Sequence, residues 1–286
     1  GTVIKIINMI RGEGEVYASV LFKLASYYKE LGSYESAREY FSRLILDMPG
    51  SEKILQTRME LADLYLRQEK YNEAIELVEG VKEKEYQVQR NAIMILAYFG
   101  KDEQDMGMDL VQKHLDKILQ SAYAEQVLRK CIEFYYLRDD LENVKKYARL
   151  LSRYSGNTTV VNYYYARLYL KRQMYKTAYY FYYKVAQDQS EYWEESTYYL
   201  GFLSLHVYDN ASRAYRYLED VAEKKNAENM YVVQSRLLLA IMLNEWGKVE
   251  RSKKLLSELQ SDSMNTLVKI KAKNLYDHYG YDKTKD

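Results

Sequence analysis

Apolar and polar positions alternate along this chain with the period of an α-helix, in blocks that restart at nearly constant intervals. In LASYYKELGSYESAREYFSRLILDMP, Leu24, Ala25 and Tyr28 share one helical face. After a break at Gly32-Ser33, Ala37, Phe41 and Leu44 share a face of a second helix. The small Ala25 and Ala37 let the two helices approach closely, while Tyr28 and Phe41 fill the space beside them. Pro49 cannot continue a helix and closes the block.

The arrangement recurs. Leu61, Ala62, Tyr65, Tyr71, Ala74, Val78 and Val81 repeat it, as do Cys131, Ile132, Tyr135, Leu141, Val144, Ala148 and Leu151. A further copy holds Tyr165, Ala166, Tyr169, Tyr175, Ala178, Tyr182 and Val185. Another has Leu200-Gly201, then Ala214, Leu218 and Val221 after one inserted residue. The last has Leu239, Ala240, Leu243, Gly247, Ser252, Leu256 and Leu259. A weaker block in the remaining gap offers Leu96 and Ala97. After a turn read as about two residues longer, it offers Val111, Leu115 and Ile118.

With Ala18 as first position, these blocks resemble the tetratricopeptide repeat (TPR), a helix–turn–helix unit. Leu24-Ala25 stands for its Leu-Gly pair, Leu21 for its Trp, and Tyr28, Gly32, Tyr34, Ala37, Phe41 and Pro49 for its later positions. The inserted residue in the sixth block is also similar to the Sel1-like repeat. Only the first block keeps the terminal Pro, and several lose the Leu-Gly pair. The resemblance implies an all-α, right-handed α-solenoid of about seven repeats, starting near residues 18, 55, 90, 125, 159, 194 and 233, over 18–260. Residues 1–17 would be an N-terminal helix or the remnant of an earlier repeat, with Val3 to Ile10 as its core. Residues 261–286 would form a capping helix, with Leu267, Ile270, Leu275 and Tyr279 inward, and a tail. No hairpin buries its apolar faces alone, so each leans on its neighbour. That overrides the two-domain prior from a length of 286 residues; one elongated domain is expected, with a flex point at the third block.

Composition adjusts this little. One Pro and 12 Gly favour long helices. The 33 Tyr suit half-buried surfaces and interfaces. A net charge of +1 argues against a nucleic-acid module. No apolar run is long enough for a transmembrane segment. The lone Cys131 cannot form an internal disulfide. Because the chain starts with Gly1 rather than methionine, a trimmed signal or lipid anchor stays open. So do the compartment, cytoplasm or bacterial periplasm, and a homo-oligomer.

The resemblance also implies that the first helix of each repeat lines an inner groove. By position, its residues are Phe22, Ser26, Met59 and Asp63, then Arg129, Glu133 and Tyr136. Tyr163 and Arg167 follow, then Tyr198, Phe202, Leu205, Leu237 and Ile241. Phe22 and Ser26 stand where the family's carboxylate clamp has a base and Asn, so a carboxyl-terminal peptide is not the expected ligand. The mainly aromatic and aliphatic later positions suit an amphipathic helix or apolar peptide of a partner protein, or packing of the rings on each other. In AYYFYYK, Tyr182 should face in. Tyr179 and Tyr183 either pack between repeats or form a lateral contact surface.

No chemistry is expected. His114, His206 and His278 lie in different blocks without paired ligands. Cys131 occupies a core position, and no phosphate loop is present. Asp139-Asp140 reads as a helix cap. The sequons at Asn157 and Asn210 matter only in a eukaryotic secretory pathway. No cofactor or metal follows from these residues. A non-enzymatic scaffold or adaptor is the leading expectation. A building block of a bacterial envelope or flagellar accessory assembly and the helical arm of a larger enzyme are the alternatives.

Overall fold

The structure, a computed structural model, describes residues 9–156, 158–224, 226, 228–262 and 265–281. Among the described residues there are fifteen α-helices and one short 3-10 turn, and no strand. The chain divides into two compact units, Gly1–Ser155 and Gly156–Asp286. Unit one holds four hairpins: α1 (Glu15–Glu30) with α2 (Tyr34–Asp47), α3 (Ile54–Arg67) with α4 (Tyr71–Val78), α5 (Gln87–Gly100) with α6 (Gln104–Ile118), and α7 (Ala124–Leu137) with α8 (Leu141–Ser155). Unit two holds three hairpins and a closing helix. These are α9 (Thr159–Lys171) with α10 (Tyr175–Val185), α11 (Trp193–His206) with α12 (Ala211–Ala222), α13 (Met230–Glu245) with α14 (Val249–Asp262), and α15 (Thr266–His278). Within each unit every second helix also packs on the next first helix, and α3, α5 and α7, like α11 and α13, touch directly. The architecture is therefore an all-α repeat solenoid.

One turn geometry recurs because one backbone device does. Each hairpin has a left-handed residue two positions before its second helix: Gly32, Glu69, Asp102, Asp139, Gln173, Asp209 and Gly247, with φ from 48° to 73°. In six of the seven, the next N–H donates to the carbonyl five residues back at 2.8–3.0 Å, as from Ser33 to Tyr28 and from Lys70 to Tyr65. This bond satisfies a carbonyl that the helix end would leave orphaned. The sixth hairpin spans one residue more, from Asn210 N–H to the Ser204 carbonyl at 2.8 Å, which is the inserted residue read from the sequence.

The third hairpin differs from its sequence reading. Its turn, Lys101–Glu103, has the common length, and Glu103 N–H donates to Tyr98. The register therefore puts Ile95, not Ala97, at the small-residue position of the first helix. The small residue of the second helix, at the position of Ala37 and Ala74, is Gly107, where a Cβ would lie 3.4 Å from the Ile95 carbonyl. Of the other first helices only α7 also has a large residue there, Ile132; the rest keep a small one. At Gly201, a Cβ would lie 2.7 Å from Leu218 Cγ.

The closing helix also corrects an expectation. Leu267 and Ile270 face outward, while Ala272 is buried, with Val268, Leu275 and Tyr279 packed beside the core. The Asn265 side chain caps the backbone N–H groups of Leu267 and Val268, and this start sets the helix's phase. The inward stripe then centres on the small Ala272, which a search for large side chains passes over. Of the expected N-terminal remnant, Val3–Asn8 lies outside the described residues.

Candidate functional site

On the first-helix face of unit one, α1, α3 and α7 carry a series of ion pairs. Lys29 on α1 reaches Glu60 and Asp63 on α3 at 2.7 and 2.9 Å. Burial disfavours its charge, but the hydrogen bonds it donates to both carboxylates outweigh that, and its pKa is raised. Arg67 pairs with Asp63 at 3.3 Å, Arg129 with Glu125 at 2.7 Å and Lys130 with Glu133 at 3.0 Å, each within one helix.

Three cavities adjoin these pairs. One of about 320 Å³ is lined by Asp63, Arg67, Gln126, Arg129 and Lys130 over Leu66, Tyr71, Leu96 and Gly100. A second, about 660 Å³, shares Asp63, Arg67 and Gln126 and adds Gln89, Lys117, Gln120 and Tyr123 among others. A third, about 390 Å³, holds Phe22, Ser26, Lys29, Gln56 and Glu60, and again Arg67. Burial, with the Asp63 charge nearby, pushes the Tyr123 phenol up to about 12, so it stays a neutral hydrogen-bonding group.

The sequence placed Phe22, Met59, Arg129 and Tyr136 on this face. Phe22 and Arg129 line cavities, and Phe22 packs edge-on against Phe41 at 5.6 Å. Met59 is buried in the core between α3, α4 and α5, and Tyr136 is half-buried. Arg67 and Gln126, which link the cavities, were not singled out. Arg67 stands in the last turn of its helix, past the positions carried over from the repeat pattern.

The first-helix face of unit two is filled by its own side chains. Tyr163 is only 6% exposed and Tyr198 8%. The Tyr163 ring stacks on Tyr192 at 4.1 Å, and its hydroxyl donates to Glu195 at 2.7 Å. Arg167 reaches Glu195 at 3.5 Å and donates to the Tyr163 hydroxyl at 3.2 Å. Tyr231 on α13 hydrogen-bonds the same carboxylate. Burial first, then the Glu195 charge, raises the Tyr163 pKa; burial and the bond to Glu195 raise that of Tyr231. Glu195 thus ties α9, α11 and α13 together. Phe202, Leu205, Leu237 and Ile241 remain half-buried, and Leu237 borders a cavity of about 600 Å³ with Met230, Leu267 and Val268.

In the tyrosine run, Tyr182 is fully buried, as its position requires. The Tyr179 hydroxyl lies 3.3 Å from that of Tyr217 and its ring meets Tyr208, so it packs between hairpins. Tyr183 and Tyr180 are about half exposed. Cys131 is buried and its thiol is pushed up to about 12 by burial, the opposite of a nucleophile's environment. Asp140 caps α8 by accepting from Asn143 N–H at 3.0 Å, and Asn210 caps α12 through Arg213 N–H at 2.9 Å. Asn157 lies outside the described residues. Among the described residues, no three His, Cys, Asp or Glu converge as metal ligands, and no helix is long and apolar enough to cross a membrane.

No protein-family model matches the sequence, and no curated protein matches it. Among solved structures, a tetratricopeptide repeat protein from Parabacteroides merdae ATCC 43184 is similar, with a TM-score of 0.58 at 13% identity, over 90% of this chain and 98% of that one. At that identity the likeness concerns the fold alone: the chain has a TPR-like helical repeat fold.

Proposed function

We propose that this chain is a non-enzymatic interaction scaffold that takes up an extended segment of a partner protein along the first-helix face of unit one. The observation that carries this reading is Arg67, whose side chain borders all three cavities there. They form one trough across α1, α3, α5 and α7. Its rim suits exchange with a ligand. The ion pairs of Arg67, Arg129 and Lys130 are intrahelical and partly solvated, so each is worth little and is displaced cheaply. Gln56, Gln89, Gln120 and Gln126 offer both a donor and an acceptor to a peptide backbone. Leu66 and Leu96 give an apolar floor.

A displayed library of random peptides, panned on the full chain, tests this. Binders should emerge whose affinity falls by roughly tenfold or more in Arg67→Glu, a substitution at a half-exposed side chain that leaves helicity intact. Peptides that bind both proteins equally, or a library that yields none, would remove the trough from consideration.

A second reading keeps the groove expected from the sequence, with an amphipathic helix on Phe202, Leu205, Leu237 and Ile241; the 600 Å³ cavity beside Leu237 favours it. Binders lost in Leu237→Ser but kept in Arg67→Glu would select that reading. Half-exposed Tyr180 and Tyr183 are what a building block would offer a neighbouring copy, and concentration-dependent mass, abolished by replacing both with Ser, would be its signature.

A further inference from the structure

At three places in this chain a tyrosine and an arginine are held by one carboxylate. Tyr17 donates to Asp47 at 2.6 Å beside Arg11, and Tyr163 donates to Glu195 at 2.7 Å beside Arg167. Tyr215 donates to Glu219 at 2.7 Å beside Arg251. Each time the carboxylate accepts from the phenol and answers the charge of the guanidinium.

Between α10 and α12 in unit two the same kinds of donor gather, and no carboxylate joins them. The Tyr179 and Tyr217 hydroxyls lie 3.3 Å apart, and both side chains are half-buried. Two hydroxyls in contact share one bond, so one proton of the pair is left to donate elsewhere. Tyr183 and Arg213, both exposed, stand close enough to Tyr217 to act on its charge. Among the described residues, nothing accepts the second proton of the pair, the proton of the Tyr183 hydroxyl or the N–H groups of the Arg213 guanidinium. Burial, then the bond to Tyr179, raises the Tyr217 pKa against the opposing Arg213 charge, so this phenol stays a donor at neutral pH.

The surroundings hold little negative charge. α10 carries Lys176 and Lys184 and no acidic residue. Glu219 on α12 is occupied by Tyr215 and Arg251, and Asp220 stands about 10 Å along the helix axis beyond Arg213. Asp209, in the turn before α12, makes no ion pair with Arg213. Surplus donors, a permanent positive charge and an exposed rim are what an oxyanion requires. The donors come from two helices, which suits the several acceptor oxygens of a phosphate better than the two coplanar ones of a carboxylate.

We propose that this corner binds a phosphate group, held by the Arg213 guanidinium, the Tyr183 hydroxyl and the free proton of the Tyr179–Tyr217 pair. The phosphate takes the place that Asp47, Glu195 and Glu219 fill in the other three clusters.

Inorganic phosphate titrated into the full chain at constant ionic strength, followed by the ring signals of isotope-labelled tyrosine, tests this. The signals of Tyr179, Tyr183 and Tyr217 should move together and saturate, with a Kd of roughly 1 mM. Arg213→Gln, at an exposed side chain, and Tyr217→Phe, which keeps the ring, should each weaken binding about tenfold. Tyr180→Phe, outside the cluster, should bind as the unaltered chain does. No saturable shift, equal shifts with acetate, or binding that survives both Arg213→Gln and Tyr217→Phe would overturn the proposal. Sedimentation with vesicles containing phosphatidic acid separates the sources. Capture lost in Arg213→Gln assigns the phosphate to a lipid headgroup; saturable phosphate binding without capture assigns it to a soluble molecule.

Discussion

At the repeat position that holds Arg129 in unit one, unit two holds Tyr163 and Tyr198. Arg129 lies on a cavity rim, tied to Glu125 one turn away on its own helix. Tyr163 is buried, and its hydroxyl bonds Glu195 on the next first helix. The fold is the same in both units; what differs is whether polar groups at this position are satisfied within a helix or between helices. A pair within a helix leaves the neighbouring helices free to present a cavity. At Tyr163 the pair between helices comes with a ring stacked on Tyr192 that fills the space, unlike the Lys29 pairs, which line a cavity. The same scaffold thus yields an open face or a closed one, depending on where a carboxylate stands.

The sharpest way to break this contrast is to remove one carboxylate from each unit. Glu195→Ala leaves Tyr163, Tyr231 and Arg167 without their shared acceptor in a buried setting, and should cost about 3 kcal/mol. Glu125→Ala removes one partly solvated pair within a helix, and should cost no more than about 0.5 kcal/mol. Urea unfolding read by hydrogen exchange within each unit measures both. Equal losses would mean that the two faces are not built differently.

Packing of the small residues gives the next largest difference. In Gly201→Ala the new methyl meets Leu218 Cγ at 2.7 Å, a branch atom with little room to turn, and the Ala214 carbonyl at 3.4 Å. Overpacking of about 1–3 kcal/mol outweighs a helix-propensity gain of about 1, so stability in unit two should fall by about 1–2 kcal/mol. In Gly107→Ala the closest atom is the edge of the Phe99 ring at 3.3 Å, which can tilt. Unit one should stay neutral or gain slightly, as thermal melts of both variants would show.

These glycines also mark how far the sequence could be read. The hairpin array was legible because helical periodicity and a small residue on each helix recur together, as at Ala25 with Ala37 and Ala166 with Ala178. The third hairpin was read two residues out of register because its small residue is Gly107, opposite a large Ile95. A search that expects alanine on the first helix finds Ala97 instead. Phe22 and Arg129, assigned by position to an inner groove, each border a cavity. Position could not tell that Tyr163 would be buried, since that depends on Glu195 from the next hairpin. Only two of the seven left-handed turn residues are glycine, so Glu69 and Gln173 gave no sign of the turn they make.

Acid tests a feature that the units share. Asp47 accepts from the Tyr17 hydroxyl at 2.6 Å and from Arg11 at 2.7 Å. The bond from Tyr17 first, then those from Arg11 and Arg43 against the opposing effect of burial, lowers its pKa below 3.8. Glu219 in unit two is lowered below 4.5: burial opposes the shift, but bonds from Tyr215 and Arg251 outweigh it. A carboxyl with a lowered folded pKa stabilises fully above its unfolded value and loses that contribution as pH falls through the folded one. Both units should therefore weaken below about pH 4. Asp47→Asn should flatten the acid limb of unit one alone, and Glu219→Gln that of unit two alone. A limb unchanged in either variant would dissociate that carboxyl from acid sensitivity.

The smallest effect is expected at the turns, where the units use different residues for one conformation. Gly247 in unit two adopts φ +71° without steric cost, whereas Glu69 in unit one carries a Cβ at φ 59°. That Cβ costs about 1 kcal/mol or somewhat more. Glu69→Gly relieves it, but the freer unfolded chain returns about 0.4–1 kcal/mol of the gain. The net should be a stabilisation of a few tenths of a kcal/mol in unit one. Gly247→Gln, running the other way, should lose about 1 kcal/mol in unit two, because the new Cβ adds strain that the stiffer unfolded chain only partly offsets. If Glu69→Gly is instead clearly destabilising, the Glu69 side chain makes a favourable contact that outweighs its strain, and the seven turns are then alike in backbone but not in what holds them.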